Sequence, residues 1–309
     1  MNTSKPAARR RTRRALAALA ASGLTLATPA LAVANGATGV FYERSVMSAA
    51  GARCRLFAPD ISAALEASRA QARGAALRGG ADAAALARLQ AKAEQKAASV
   101  GCASPDMRMV AGRVRSAFDG YAKLYRMNFP GDVSSWRADR VLPSDGQGWK
   151  LSQGVRFGFD RMNFGLAGRR GEPAQLTAAV LFADGARPYA ARLVIRDTGR
   201  TSAPYLGDAR GGPTARLPLK SRVAPRSAVR TFLAESRSTD PRLSPEPGQP
   251  AAVFRFPAAA VQGLHGLDPR EAVTVEFLFQ GRGGDRVRSA YLEVGDFAAA
   301  QAFLTIAKR

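Results

Sequence analysis

Histidine is almost absent from this sequence, and cysteine nearly so: one His and two Cys stand in 309 residues. A Ser-His-Asp triad needs an imidazole base, and His265 is the sole candidate, in Gly263-Leu264-His265-Gly266-Leu267. No Gly-x-Ser-x-Gly elbow partners it, so it reads as a turn residue. A zinc centre wants three or four His, Cys or acidic ligands; one His and two cysteines that favour pairing make a poor start on one. No Asp-x-Asp calcium loop occurs either. The glycine-rich runs 207–212 and 281–284 lack the Lys and Ser/Thr of a phosphate-binding loop. The reading assigns no catalytic residue, no metal and no cofactor.

Acidic residues are also scarce, with 24 Asp and Glu against 46 Lys and Arg and a formal charge of +22. Six of those cations lie in the first 14 residues, and without them the charge falls to +16. What remains is spread over both halves. A nucleic-acid binder gathers its charge on a face or stripe, so no nucleic-acid partner is expected. The dispersed arginines leave an anionic envelope polymer or lipid surface, or a protein, as expected partners. Oligomeric state is not readable.

Long apolar runs are missing after residue 32. The nearest, Phe297 to Ala307, contains Gln301 and Thr305 and is too short to cross a bilayer. No transmembrane segment is therefore expected after signal cleavage. The start of the chain has what export requires. Lys5 and Arg9 to Arg14 are the positive region, Ala15 to Ala27 the short apolar stretch, and Ala30-Leu31-Ala32 the small-residue cleavage triplet. Residues 1–32 thus read as a signal peptide for a periplasmic or secreted protein. Thr12-Arg13-Arg14-Ala15-Leu16 fits a twin-arginine signal only loosely.

In an oxidising compartment an even cysteine count favours pairing, so Cys54 and Cys102 are expected as a disulfide. Closing that loop stabilises the fold by about 4 kcal/mol in the chain-entropy model.

Residues 35–130 read as a helical domain. Phe41 to Phe57 is a first helix. A second follows Pro59, and Gly79-Gly80 ends it. Asp82 caps a third, and Ser104-Pro105-Asp106 opens a fourth. Val110, Val114, Ala117, Tyr121 and Leu124 recur at spacings of 4, 3, 4 and 3, one apolar helical face, and Phe129-Pro130-Gly131 ends that helix. Residues 131–148 read as a linker. Residues 149–309 read as antiparallel β: Val155-Phe157-Phe159, then 176–182, 189–195, 253–256, 273–279 and 287–294 are strand candidates with hairpin turns between them. Residues 198–250 read as surface loops. Asp296 caps a closing helix from Phe297 to about Lys308. The expected fold is α+β, a disulfide-stapled helical domain followed by an antiparallel sandwich or barrel with a C-terminal helix.

Two constellations remain. Tyr121, Tyr125, Phe129, Trp136 and Trp149 stand among Lys123, Arg126, Arg137, Arg140 and Lys150. Aromatics beside cations bind sugars or anionic polymers; the plainer reading is a seam between the two domains, with Tyr121, Tyr125, Trp136, Arg137 and Trp149 as its residues. Glu271, Glu276, Asp285 and Glu293 lie on or beside neighbouring strand candidates, the raw material of a carboxylate-based envelope hydrolase. The function expected first is non-catalytic: an exported envelope protein that binds or organises a partner.

Overall fold

A computed structural model of the chain describes residues 29–144, 146–206 and 217–307. The charged and apolar parts of the expected signal peptide, residues 1–28, lie outside the described residues, and Ala30-Leu31-Ala32 falls in the first turns of a helix.

Four helices come first: α1 (Pro29–Cys54), α2 (Pro59–Arg78), α3 (Ala83–Ser99) and α4 (Pro105–Lys123). Their starts follow the local chemistry. The Asp82 carboxylate accepts from the Ala85 N–H at 2.7 Å, and Ser104 Oγ from the Met107 N–H at 3.2 Å, each satisfying a donor of the first turn. The first helix stops at Cys54 rather than Phe57 because Arg55 turns left-handed, with φ of 52°. Cys54 and Cys102 are bonded, with Cα atoms 5.5 Å apart. The bond ties the end of α1 to the turn between α3 and α4.

Helix α4 ends at Lys123, earlier than its sequence suggested. Met127 and Phe129 then point inward at a spacing of two, with Arg126, Asn128 and Pro130 outward. That is strand β1 (Arg126–Pro130), paired antiparallel with β2 (Ser135–Asp139) so that Phe129 faces Trp136. The stretch read as a linker thus holds a strand. Next come β3 (Gly148–Phe157), β4 (Asp160–Gly168), β5 (Gln175–Leu181), β6 (Ala190–Arg196), β7 (Val229–Leu233), β8 (Ser236–Asp240), β9 (Ala251–Arg255), helix α5 (Ala258–His265), β10 (Ala272–Phe279), β11 (Arg286–Glu293) and helix α6 (Phe297–Leu304). The segment read as loops carries β7 and β8. His265 is the last residue of α5 rather than a turn, its Nδ1 2.9 Å from Gln301 Oε1.

All strand pairings are antiparallel, in a seven-stranded sheet ordered β1-β2-β3-β4-β5-β9-β8 and a four-stranded sheet ordered β11-β10-β6-β7. The α+β class, the antiparallel sheets, the N-terminal helices and the C-terminal helix are all present. The sheets face each other through aromatic rings: Phe157 and Phe254 of the large sheet lie 6.1 and 5.8 Å from Phe277 of the small one. Alternation sets this face. Met162, Phe164 and Leu166 of β4 point between the sheets, while Ala167 points outward to a smaller cluster with Val253 and Leu243. Gly165 lies in β4 where its backbone nearly touches β3; a Cβ there would stand 2.0 Å from the Leu151 carbonyl oxygen.

The main core does not stop at the sheets. Ile61, Ala64 and Ala67 of α2 and Ala122 of α4 belong to the same buried cluster as Trp136, Phe277, Phe297 and Phe303. Helix α6 mediates, since Trp136 and Phe297 rings lie 5.1 Å apart and Phe129 and Phe303 rings 5.7 Å apart. Each of the four edge strands carries arginine: Arg126 on β1, Arg237 on β8, Arg230 on β7, and Arg286 and Arg288 on β11. No helix among the described residues is long and apolar enough to cross a membrane.

Candidate functional site: a groove in the helical bundle

Helix α4 carries two adjacent apolar stripes, and only one is fully covered. Met107, Ala111 and Ala122 are buried. The neighbouring stripe, the apolar face that periodicity marked, is covered only in part: Val110 is 37% and Leu124 43% exposed, Ala117 is exposed, and Val114 and Tyr121 are half-buried. Val110, Val114 and Phe118 form one wall of a groove of about 570 Å³. Tyr42, Val46 and Met47 of α1 form the opposite wall, and Leu65 of α2 lies at its floor. A small cluster of Ala50, Ala97 and Met107 packs beside this region, between the helices that the disulfide joins.

The rim is charged. Arg44, Lys96 and Arg113 border the groove with a single acid, Glu43. Arg44 is anchored, its Nη1 donating to the Ser68 carbonyl at 2.8 Å. Burial lowers the Arg44 pKa from its ordinary value, partly opposed by Tyr121 and Glu43. Burial also pushes the Tyr121 phenol up to about 12, with Arg44 opposing, so Tyr121 is neutral at physiological pH. Its hydroxyl is buried and finds no hydrogen-bond partner among the described residues. Its ring lies 5.9 Å from that of Phe118, a groove residue, and 5.9 Å from Phe303 of α6. Tyr121 therefore sits between groove and core. Chemically the groove offers an apolar surface and a net positive rim.

The aromatic and cationic residues near the helix–sheet boundary do not converge. Trp136 is buried, and its Nε1 donates to the Val294 carbonyl at 2.7 Å. Trp149 packs on the opposite face of the large sheet with Leu243, its Nε1 3.3 Å from the Leu243 carbonyl. Tyr125 is 61% exposed, and Arg137 points outward from β2. Arg140, by contrast, is buried between helix ends. Its Nη1 donates to the carbonyls of Ala122 and Leu124 at 2.8 and 2.7 Å, and its Nη2 to those of Ile306 and Ala307 at 2.9 Å each. One guanidinium thus caps the C-terminal end of α4, where the helix dipole favours a cation, and ties it to the segment that follows α6.

The four acids considered for hydrolysis each have a separate partner. Glu271 takes a two-point bond from Arg196 at 2.7 and 2.8 Å. Glu276 pairs with Arg192 at 2.5 Å, and Asp285 accepts from the Tyr189 hydroxyl at 2.5 Å. Glu293 is fully buried in a cradle of backbone, accepting from the N–H groups of Asp132, Val133 and Ser134 at 2.6, 2.8 and 3.0 Å, with Arg222 at 3.5 Å. Beside it, Asp296 pairs with Arg78 through both carboxylate oxygens instead of capping α6. These bonds tie strand ends, loops and helices together.

The spacing of Val110, Val114 and Tyr121 marked one apolar face of α4, but nothing in the sequence set Tyr42, Val46 and Met47 of α1 opposite it. The available signal was a second apolar stripe on α4 beside thin, alanine-rich neighbours, which have little side-chain area to cover it. Set against family models, curated proteins and solved structures, the chain matches none of them, so its site rests on its own geometry.

Proposed function

We propose that this is an exported, non-catalytic envelope protein that binds a partner in the groove between α1 and α4. The observation that carries this is the partly covered stripe of Val110, Val114 and Phe118 facing Tyr42, Val46 and Met47 across an open groove. Leaving such a surface open to water costs free energy in proportion to its area, and a cavity of this size lies within the range of about 300–1,000 Å³ occupied by small-molecule sites. The amino-terminal charge, apolar stretch and Ala30-Leu31-Ala32 triplet support export to the periplasm or beyond, and the Cys54–Cys102 bond is in keeping with an oxidising compartment.

The test uses a neutral apolar fluorophore, N-phenyl-naphthylamine, that brightens when it leaves water. The full chain is expected to bind it, and Val114→Arg to weaken binding at least about tenfold, because a guanidinium placed among the apolar walls must be desolvated. Val114 is only half-buried, so the variant should keep its unfolding midpoint. Undiminished binding by a folded Val114→Arg protein would remove the groove from consideration.

A further inference from the structure

We infer that the occupant of this groove is a free, single-chain anionic amphiphile, its tail along α4 and its head group at the cationic rim; this rests on the reading of the groove as a binding site. Two observations lead there.

The first is charge. Arg44, Lys96 and Arg113 border the groove against one acid, Glu43. Arg44 is already engaged by the Ser68 carbonyl, but Lys96 and Arg113 have no carboxylate partner among the described residues. Some arginines elsewhere are bonded to acids, as at Arg192, Arg196, Arg270 and Arg288, and others, such as Arg230 and Arg237, have no such partner among the described residues; Lys96 and Arg113 stand apart by their place beside an apolar cleft. Two unpaired cations beside an apolar cleft complement a ligand that is apolar at one end and negative at the other. A neutral lipid or a sterol would leave that half of the site unused.

The second is length. The apolar wall runs from Val110 to Phe118, eight steps along α4 and about 12 Å at the helical rise. A protein partner needs roughly 800 Å² on each side for a stable interface, and so short a cleft does not supply it. A single extended alkyl tail of about ten carbons fits that length, and the groove of about 570 Å³ has room for it.

The head-group assignment makes a comparison decisive. Titration calorimetry of the full chain with decanoate and with decanol, both free in solution, presents the same tail with and without the charge. Decanoate is expected to bind at least about tenfold more tightly at low salt, with the preference shrinking as salt rises. Each two methylenes removed from the tail should weaken binding about tenfold. The double variant Lys96→Gln/Arg113→Gln, both at exposed positions, should erase the preference for decanoate over decanol while leaving the unfolding midpoint unchanged. Equal binding of decanoate and decanol would overturn the head-group assignment and leave the groove reading intact. Failure of decanoate and of the fluorophore together would overturn both. Co-sedimentation with phosphatidylglycerol vesicles, without binding of free decanoate, would assign the rim to a bilayer surface and overturn the proposal.

Discussion

Arg140 shows how much of this fold depends on a single side chain. It is 7% exposed, donates to four carbonyls and lies 5.6 Å from the centre of the Phe303 ring. Burial lowers its pKa from the ordinary value. Arg140→Met would leave those carbonyls without donors, and denaturant unfolding should record a loss of about 3 kcal/mol or more. Arg140→Lys should recover only part of this, since an ammonium cannot span both pairs of carbonyls as a planar fork does. Asp296 makes a second prediction. Burial raises its pKa above the ordinary 3.8, against the pull of Arg78. The folded state therefore holds this proton more tightly than the unfolded chain does. The stability the group contributes is fully present below 3.8 and is lost as pH rises through the folded value, which is the linkage sign for a raised carboxylate. Asp296→Asn should thus fare worst relative to the parent in acid and improve toward neutral pH; urea midpoints across that range that moved the other way would refute the raised value. The caps at Asp82 and Ser104 were legible because their partners lie three residues along the chain. Arg78 and Asp296 lie 218 residues apart, and no local pattern announces such a pair.

At the scale of elements, α4 is the least firmly held of the long helices. One stripe is buried, Arg140 holds its C-terminal end, and the disulfide holds the turn before its first residue. Removing the covalent tie with Cys54→Ala/Cys102→Ala should lower stability by about 4 kcal/mol in the chain-entropy model. Hydrogen exchange should accelerate first in α3 and α4, while β4 and β10, in the main core, stay protected. Equal acceleration everywhere would show that the bond stabilises the whole chain rather than this corner. Periodicity located α4 and its apolar face, but it reports which residues share a side, not whether anything covers that side. The same limit explains the missed strands. β1 and β2 are five residues each, too short for alternation to stand out, and β7 and β8 lie in a segment dominated by turn residues. The longer strands of the sandwich were visible because Val, Phe and Leu recur in them at a spacing of two.

For the molecule as a whole, periodicity, caps and turn residues predicted a helical part and a β part, and the chain order of the two is as expected. What those signals could not show is that they share hydrophobic core. Ile61 and Ala64 of α2 belong to the same cluster as the rings of the sandwich, with α6 packed between. Contacts between segments more than two hundred residues apart leave no trace in a window of sequence. The dispersed +16 charge is likewise only partly free to meet a partner, because Arg78, Arg140, Arg196 and Arg222 spend theirs inside the protein.

The arginines on the four edge strands have a further consequence, for how the molecule behaves in a crowd. Two open sheets present unpaired backbone donors and acceptors at β1, β8, β7 and β11, and such edges invite a second copy to add its own strand. The exposed Arg237, Arg230 and Arg286 on β8, β7 and β11 make that approach repulsive and strand their charge if pairing proceeds. Neutralising Arg230, Arg237 and Arg286 would open those borders to edge-to-edge assembly.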